Sequence, residues 1–134
     1  MGQDNEKRDL VNHPPHYAFS KIEVIEIIER WHVAPHIANV IKYIARYDKK
    51  EKPLEDLKKS LWYLDRYIQY IKDGGSPPPA AYYVREKEYC PENVIHEWKM
   101  VKPFSDILAL LFYSRWVEAR NLLSTHIETL NSGE

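Results

Sequence analysis

Cations and aromatic side chains recur at helical spacing in two stretches of this chain, Asn39, Lys42, Tyr43 and Arg46 in the first and Lys59, Trp62, Tyr63 and Arg66 in the second. Phosphate groups take guanidinium and ammonium donors, and flat rings stack on aromatic faces. A ligand carrying both groups is what such a combination would hold. At about 100° of turn per residue, Lys42, Tyr43 and Arg46 fall with Asn39 on one side of a helix while Ile37, Val40, Ile41 and Ile44 occupy the other. The polar side offers an amide, an ammonium, a phenol and a guanidinium with no carboxylate among them, which reads as an anion-binding face. The alternative is a solvated face, or tyrosines buried at a contact between subunits, with Arg46 in a surface pair with Asp48 or Asp56.

The second stretch repeats the arrangement. Leu57, Leu61, Leu64, Ile68 and Ile71 form an apolar stripe, and Lys59, Tyr63, Arg66 and Tyr70 run along another side, where Asp56 and Asp65 dilute the positive charge. Packing the two stripes together would bring the basic and aromatic rows to the rims of one groove.

A phosphate acting as phosphoryl acceptor is already anionic at neutral pH, so transfer between nucleotides needs positioning and charge neutralisation more than a strong base. Lys42, Arg46, Lys59 and Arg66 are suited to that task, Arg46 with a bidentate grip. No GxxxxGK[ST] loop is present, which excludes an ordinary P-loop kinase. His13 and His16 are held by Pro14 and Pro15 in an extended strap flanked by Asn12 and Tyr17. Three roles stay open for these histidines: contact with substrate phosphate, structural capping of neighbouring helices, and metal binding. Glu23, Glu26 and Glu29 recur every third residue and raise a second reading, an all-α nucleotide pyrophosphatase that holds magnesium on paired acidic motifs. The second acidic pair is not evident, because Pro53 and Trp62 stand three residues before Asp56 and Asp65.

The 134 residues are enough for one domain with its own core. Ten tyrosines and four tryptophans are many for that length and point to homo-oligomerisation. The formal net charge of -1 argues against duplex nucleic acid as a partner, which demands a strong basic excess. Cys90 is the single cysteine, so neither an intrachain disulfide nor a cysteine-built zinc site is available. The polar start of the chain and the lack of a long apolar run lead us to expect no membrane association and a cytoplasmic location.

The elements that must position these residues are helices. Residues 1–11 read as a flexible tail, 12–75 as one helical unit, and 76–134 as a proline-rich linker followed by C-terminal helices on the same core. Ser20 with Glu23 is a capping-box pattern opening a helix from Lys21 to Trp31. Pro35 opens the next, to about Tyr47, and Pro53 a third, ended by Gly74-Gly75. Pro77, Pro78 and Pro79 impose an extended linker. Glu92–Met100 and Ser105–Leu130 complete the set. The expected fold is therefore all-α, a compact bundle of about five helices with the His-Pro-Pro-His strap at its N-terminus. Its expected core includes Ile25, Ile28, Val40, Ile41, Ile44, Leu57, Leu61, Leu64, Ile68, Leu108 and Leu111. A faint internal echo runs from Val24-Ile25, Trp31 and Pro35 to Val94-Ile95, Trp98 and Pro103, and the second copy lacks the loop that carries Lys49 and Lys50.

Over Val11–Arg66, the Asn-His-Pro-Pro-His-Tyr run, the following Ile-Glu, the Lys-Tyr-x-x-Arg helix and the Asp-Leu-Lys-Lys-x-x-Trp-Tyr-Leu helix resemble a family of small phage-type proteins. That family was long described as a domain of unknown function and includes a nucleotide kinase that converts deoxynucleoside monophosphates to diphosphates. The resemblance implies a nucleotide as partner in an infected cell, and ATP or another nucleoside triphosphate as donor, with magnesium undetermined. With the residues above, it makes Lys42, Arg46 and His16 the expected catalytic groups. His13, Tyr17, Asn39, Tyr43, Lys50, Lys59, Trp62, Tyr63 and Arg66 are the expected substrate contacts, and no resident metal is expected. A non-catalytic protein that sequesters a nucleotide or a nucleotide second messenger would use the same face.

Overall fold

In a computed structural model, residues 21–47, 53–78 and 84–132 are described, and they form six α-helices and one 3-10 turn with no strand. The helices are α1 (Val24–Trp31), α2 (Pro35–Arg46), α3 (Pro53–Lys72), α4 (Pro91–Glu97), α5 (Phe104–Phe112) and α6 (Trp116–Ser132), with the turn at Lys87–Tyr89 ahead of α4. The all-α expectation holds for these residues, whereas the tail and the His-Pro-Pro-His strap lie outside them.

Three boundaries differ from the expectation, each for a local reason. α1 starts at Val24, with Glu23 as N-cap, because the Glu26 carboxylate turns back to accept the Glu23 N–H at 3.1 Å. Ser20, the expected cap, lies outside the described residues. α4 stops at Glu97 because Lys99 takes a left-handed conformation (φ 55°), and the Met100 N–H then donates to the Ile95 carbonyl at 3.0 Å. The expected single C-terminal helix is two helices, since Ser114 does the same (φ 61°) and Arg115 N–H donates to Leu110 O at 2.8 Å. α3 ends in an identical closure at Gly74 (φ 95°), the one of the three that a glycine pattern marks.

A stripe of Val24, Ile27 and Trp31 buries α1, which leaves Ile25 off the stripe and 54% exposed, contrary to its expected place in the core. Ile28, Leu61 and Ile68 pack against the core from partly buried positions, and the other expected core residues are buried.

The internal echo proves to be architectural. A shift of 67 residues carries each buried residue of α1 and α2, together with Ile22, onto a buried counterpart: Ile22 onto Tyr89, Val24 onto Pro91, Ile27 onto Val94 and Trp31 onto Trp98. It continues with Ile37 onto Phe104, Val40 onto Ile107, Ile41 onto Leu108, Ile44 onto Leu111 and Ala45 onto Phe112. Even the left-handed His32 (φ 49°) falls on the left-handed Lys99. In the third helix of each set, the buried Asp56, Ser60 and Leu64 fall on the buried Ala119, Leu123 and Ile127 after a shift of 63, so the first unit has four more residues between its second and third helices. The echo was legible, but its register is set by the tryptophans rather than by the prolines or by Val24 and Val94.

The units meet through equivalent elements, α2 against α5 and α3 against α6, as in a two-fold dimer. The Trp31 indole donates to the Tyr89 carbonyl and the Trp98 indole to the Ile22 carbonyl, both at 2.7 Å, and each acceptor lies nine residues before the other tryptophan. Replacing either buried tryptophan by phenylalanine removes a buried hydrogen bond and shrinks the core. We therefore expect Trp31→Phe and Trp98→Phe each to cost about 1–3 kcal/mol in urea unfolding, and by similar amounts. A loss confined to one of them would contradict the reciprocal arrangement.

Candidate functional site

α2 and α3 run antiparallel and form the most extensive helix pair among the described residues. Their polar rows meet at the seam. The Tyr43 and Tyr63 rings lie nearly parallel, 21° apart with centroids 6.3 Å apart, and Trp62 packs edge-on against Tyr63 at 5.1 Å. Trp62 is 61% exposed, an unusually large apolar ring to leave in water. Over Tyr43 stand two cations, the Arg46 guanidinium carbon 4.8 Å from the ring centroid and Lys59 Nζ at 5.9 Å. The sequence reading is thus met in one respect: Tyr43, Arg46, Lys59, Trp62 and Tyr63 come together.

Carboxylates reach the face from α3, the helix on which acidic residues are expected to dilute the charge. Glu55 lies 3.8 Å from Lys59, a pair half exposed on both sides that contributes little. Asp56 Oδ2 lies 3.6 Å from Arg46 Nε, with side chains only 6% and 14% accessible. The expected surface pair is therefore a buried one. Asp56 occupies the buried stripe of α3 with Leu57, Ser60, Leu64 and Tyr67, and its Oδ2 has no hydrogen-bond partner. A carboxylate at an apolar-stripe position is the signal the sequence offers for this burial, whereas spacing along α3 alone reads the same residue as diluting charge or as a surface partner of Arg46.

Lys42 is half-buried beside Tyr43, and Arg66 is exposed one turn beyond Trp62 and Tyr63. Neither these two nor Asn39 makes an ion pair or hydrogen bond among the described residues. Tyr70 lies two turns beyond Tyr63 on the same side of α3. Its ring stacks on His36, 5.7 Å away, at the far end of the seam. His13, His16, Tyr17 and Lys50 lie outside the described residues, as does Asn12. No group of three or more His, Cys, Asp or Glu side chains among the described residues is placed to hold a metal ion. Glu26 of the acidic series is committed to the α1 cap. A shallow depression lined by Glu92, Ile95, His96, Glu97, Lys99 and Met100 mixes both signs of charge and presents no convergent set of donors.

Residues 11–65 match DUF3310, a family of proteins of unknown function. The match spans fewer than half of the 134 residues and ends within α3, so it falls on the first unit and leaves the second unmatched. No curated protein and no solved structure matches the chain. This corrects the resemblance drawn from the sequence, since the matched family is one of unknown function and nothing in the comparisons indicates nucleotide kinases. No helix among the described residues is long and apolar enough to cross a membrane.

Tyr67 closes the seam at the His36 end, fully buried against His36 and Trp116 with its hydroxyl unpartnered. Burial first, and the neighbouring Tyr70 second, raise its pKa above the usual phenol value. With the folded pKa raised, this contribution to stability is complete below about pH 10, where the unfolded chain still keeps its phenol protonated, and is lost as pH rises through the folded value. Tyr67→Phe should therefore flatten the alkaline fall of the urea midpoint while costing little at pH 7, because no hydrogen bond is lost. An undiminished alkaline fall in the variant would count against this.

The Arg46–Asp56 pair makes a second prediction. Arg46→Ala strands a buried carboxylate and should destabilise by about 3–5 kcal/mol. Removing both charges together should recover most of that loss. Urea unfolding of the single and double variants measures it, and additive losses would show that the two groups are not coupled.

Proposed function

We propose that the α2–α3 seam binds a nucleotide, with its base on the aromatic platform and its phosphates among the surrounding cations. The observation carrying this reading is the platform itself, in which Trp62, Tyr63 and Tyr43 adjoin one another with Arg46 and Lys59 over Tyr43. A purely structural cluster has no need to leave its largest ring 61% exposed. Lys42 and Arg66 border the rings without an ion pair among the described residues, and the exposed Glu55–Lys59 pair is weak enough for a phosphate to displace. Bases of any identity have a π face, and stacking on an aromatic side chain contributes about 1–3 kcal/mol per base. The same groups suit phosphoryl transfer to a (deoxy)nucleoside monophosphate, because neutralisation and positioning are the main requirements of that step.

Calorimetric titration of the full chain with each nucleoside mono-, di- and triphosphate tests the binding. Trp62→Ala, a change at an exposed position, should weaken the tightest of these at least tenfold, about 1.4 kcal/mol, while the urea midpoint stays within about 0.5 kcal/mol of wild type. No binding by the wild type, or equal binding by the variant, removes the platform from any ligand site. Incubating monophosphate with ATP and magnesium then sorts the chemistry: diphosphate formation marks a phosphoryl transferase, pyrophosphate release a hydrolase, and binding without turnover a sequestering protein.

A further inference from the structure

We propose that Asp56 is a positioning residue of the first unit, retained to hold the Arg46 guanidinium against Tyr43 rather than to hold the fold. The inference rests on the nucleotide-binding reading of the seam for its purpose, but its geometry stands apart. Asp56 is 4% exposed on the buried stripe of α3, where a carboxylate is costly, and its Oδ2 makes no hydrogen bond. The fold does not require it. Ala119 fills the matching position on α6 at 0% exposed, packed in the same way, in a unit where Leu122 and His126 stand at the positions of Lys59 and Tyr63. The carboxylate and the cation–aromatic face are thus present together in one unit and absent together from the other. Where Asp56 does act is on Arg46: its carboxylate approaches the Nε edge at 3.6 Å while the Tyr43 ring lies under the guanidinium carbon at 4.8 Å, so one group sets the in-plane direction of the fork and the other its plane. A planar donor used for an anion benefits from such restraint, because the orientation need not be acquired on binding.

Asp56→Asn keeps the shape and removes the charge, and Asp56→Ala installs the residue that the second unit tolerates. Two readouts on the full chain decide the proposal. In nitrogen-15 spectra, the Arg46 Nε–H resonance, assigned by its loss in Arg46→Lys, should shift and exchange faster in both Asp56 variants, while the circular-dichroism helix signal is unchanged. ATP affinity by calorimetry should fall at least tenfold in both. An unmoved Arg46 resonance overturns the positioning role whatever the wild type binds. A moved resonance with undiminished ATP affinity overturns its purpose. If the wild type binds neither ATP nor any other nucleoside mono-, di- or triphosphate, the nucleotide reading fails and the purpose with it, and the resonance alone decides whether Asp56 directs Arg46. Should Asp56→Ala lose its helix signal, the fold does require the carboxylate and the proposal is wrong.

Discussion

Two indole N–H groups buried in a core of this size must each find an acceptor inside the protein, and the rest of the architecture is arranged around how they do. Carbonyls inside a helix are committed to its ladder, so the acceptors open to an indole are those of a last turn or of the residues ahead of a first one. Trp31 and Trp98 each take that carbonyl from the other unit, Tyr89 and Ile22 respectively. Two bonds of this kind fix how the units face one another more narrowly than apolar contact would, since burial alone is non-directional. The α2–α5 and α3–α6 contacts follow from the same two-fold relation.

Within that frame the units have divided the work. The buried positions of their first two helices match one for one, as do three of those in the third, yet the outer faces of the second and third helices do not. On the first unit the face carries Tyr43, Lys59, Trp62 and Tyr63; on the second the corresponding positions are Leu110, Leu122, Thr125 and His126. The family match covers only the first unit, so the face and the matched stretch coincide. The buried Asp56 shows that the specialisation reaches below the surface, into a stripe that is otherwise apolar.

Much of the fold was legible because proline and apolar period mark helix starts and faces directly. Pro35, Pro53 and Pro91 sit at or beside helix openings, and the stripe of α3 follows the expected spacing closely enough to place Leu57 and Leu64 in the core. The stops were harder. Lys99 and Ser114 adopt the left-handed conformation that glycine marks at Gly74, so tertiary context overrode residue preference and two helix ends were invisible. At the site, helical spacing correctly gathered Tyr43, Arg46, Lys59, Trp62 and Tyr63, because neighbours on one helix face are dictated by geometry alone. Across the seam it was weaker: whether Arg46 meets a carboxylate at the surface or in the interior depends on how deeply two helices interlock, which spacing along either one does not encode.

A self-associating pair of identical subunits cannot change one face without changing both, because each substitution appears twice. Covalent tandem arrangement lifts that restriction. Here the segment between Lys72 and Lys87 joins the halves, and either half is then able to accumulate replacements that would be intolerable in duplicate. A carboxylate in the stripe of α3 illustrates the freedom: its counterpart across the pseudo-axis is alanine, so the Arg46–Asp56 pair occurs once where a symmetric assembly would have been obliged to repeat it.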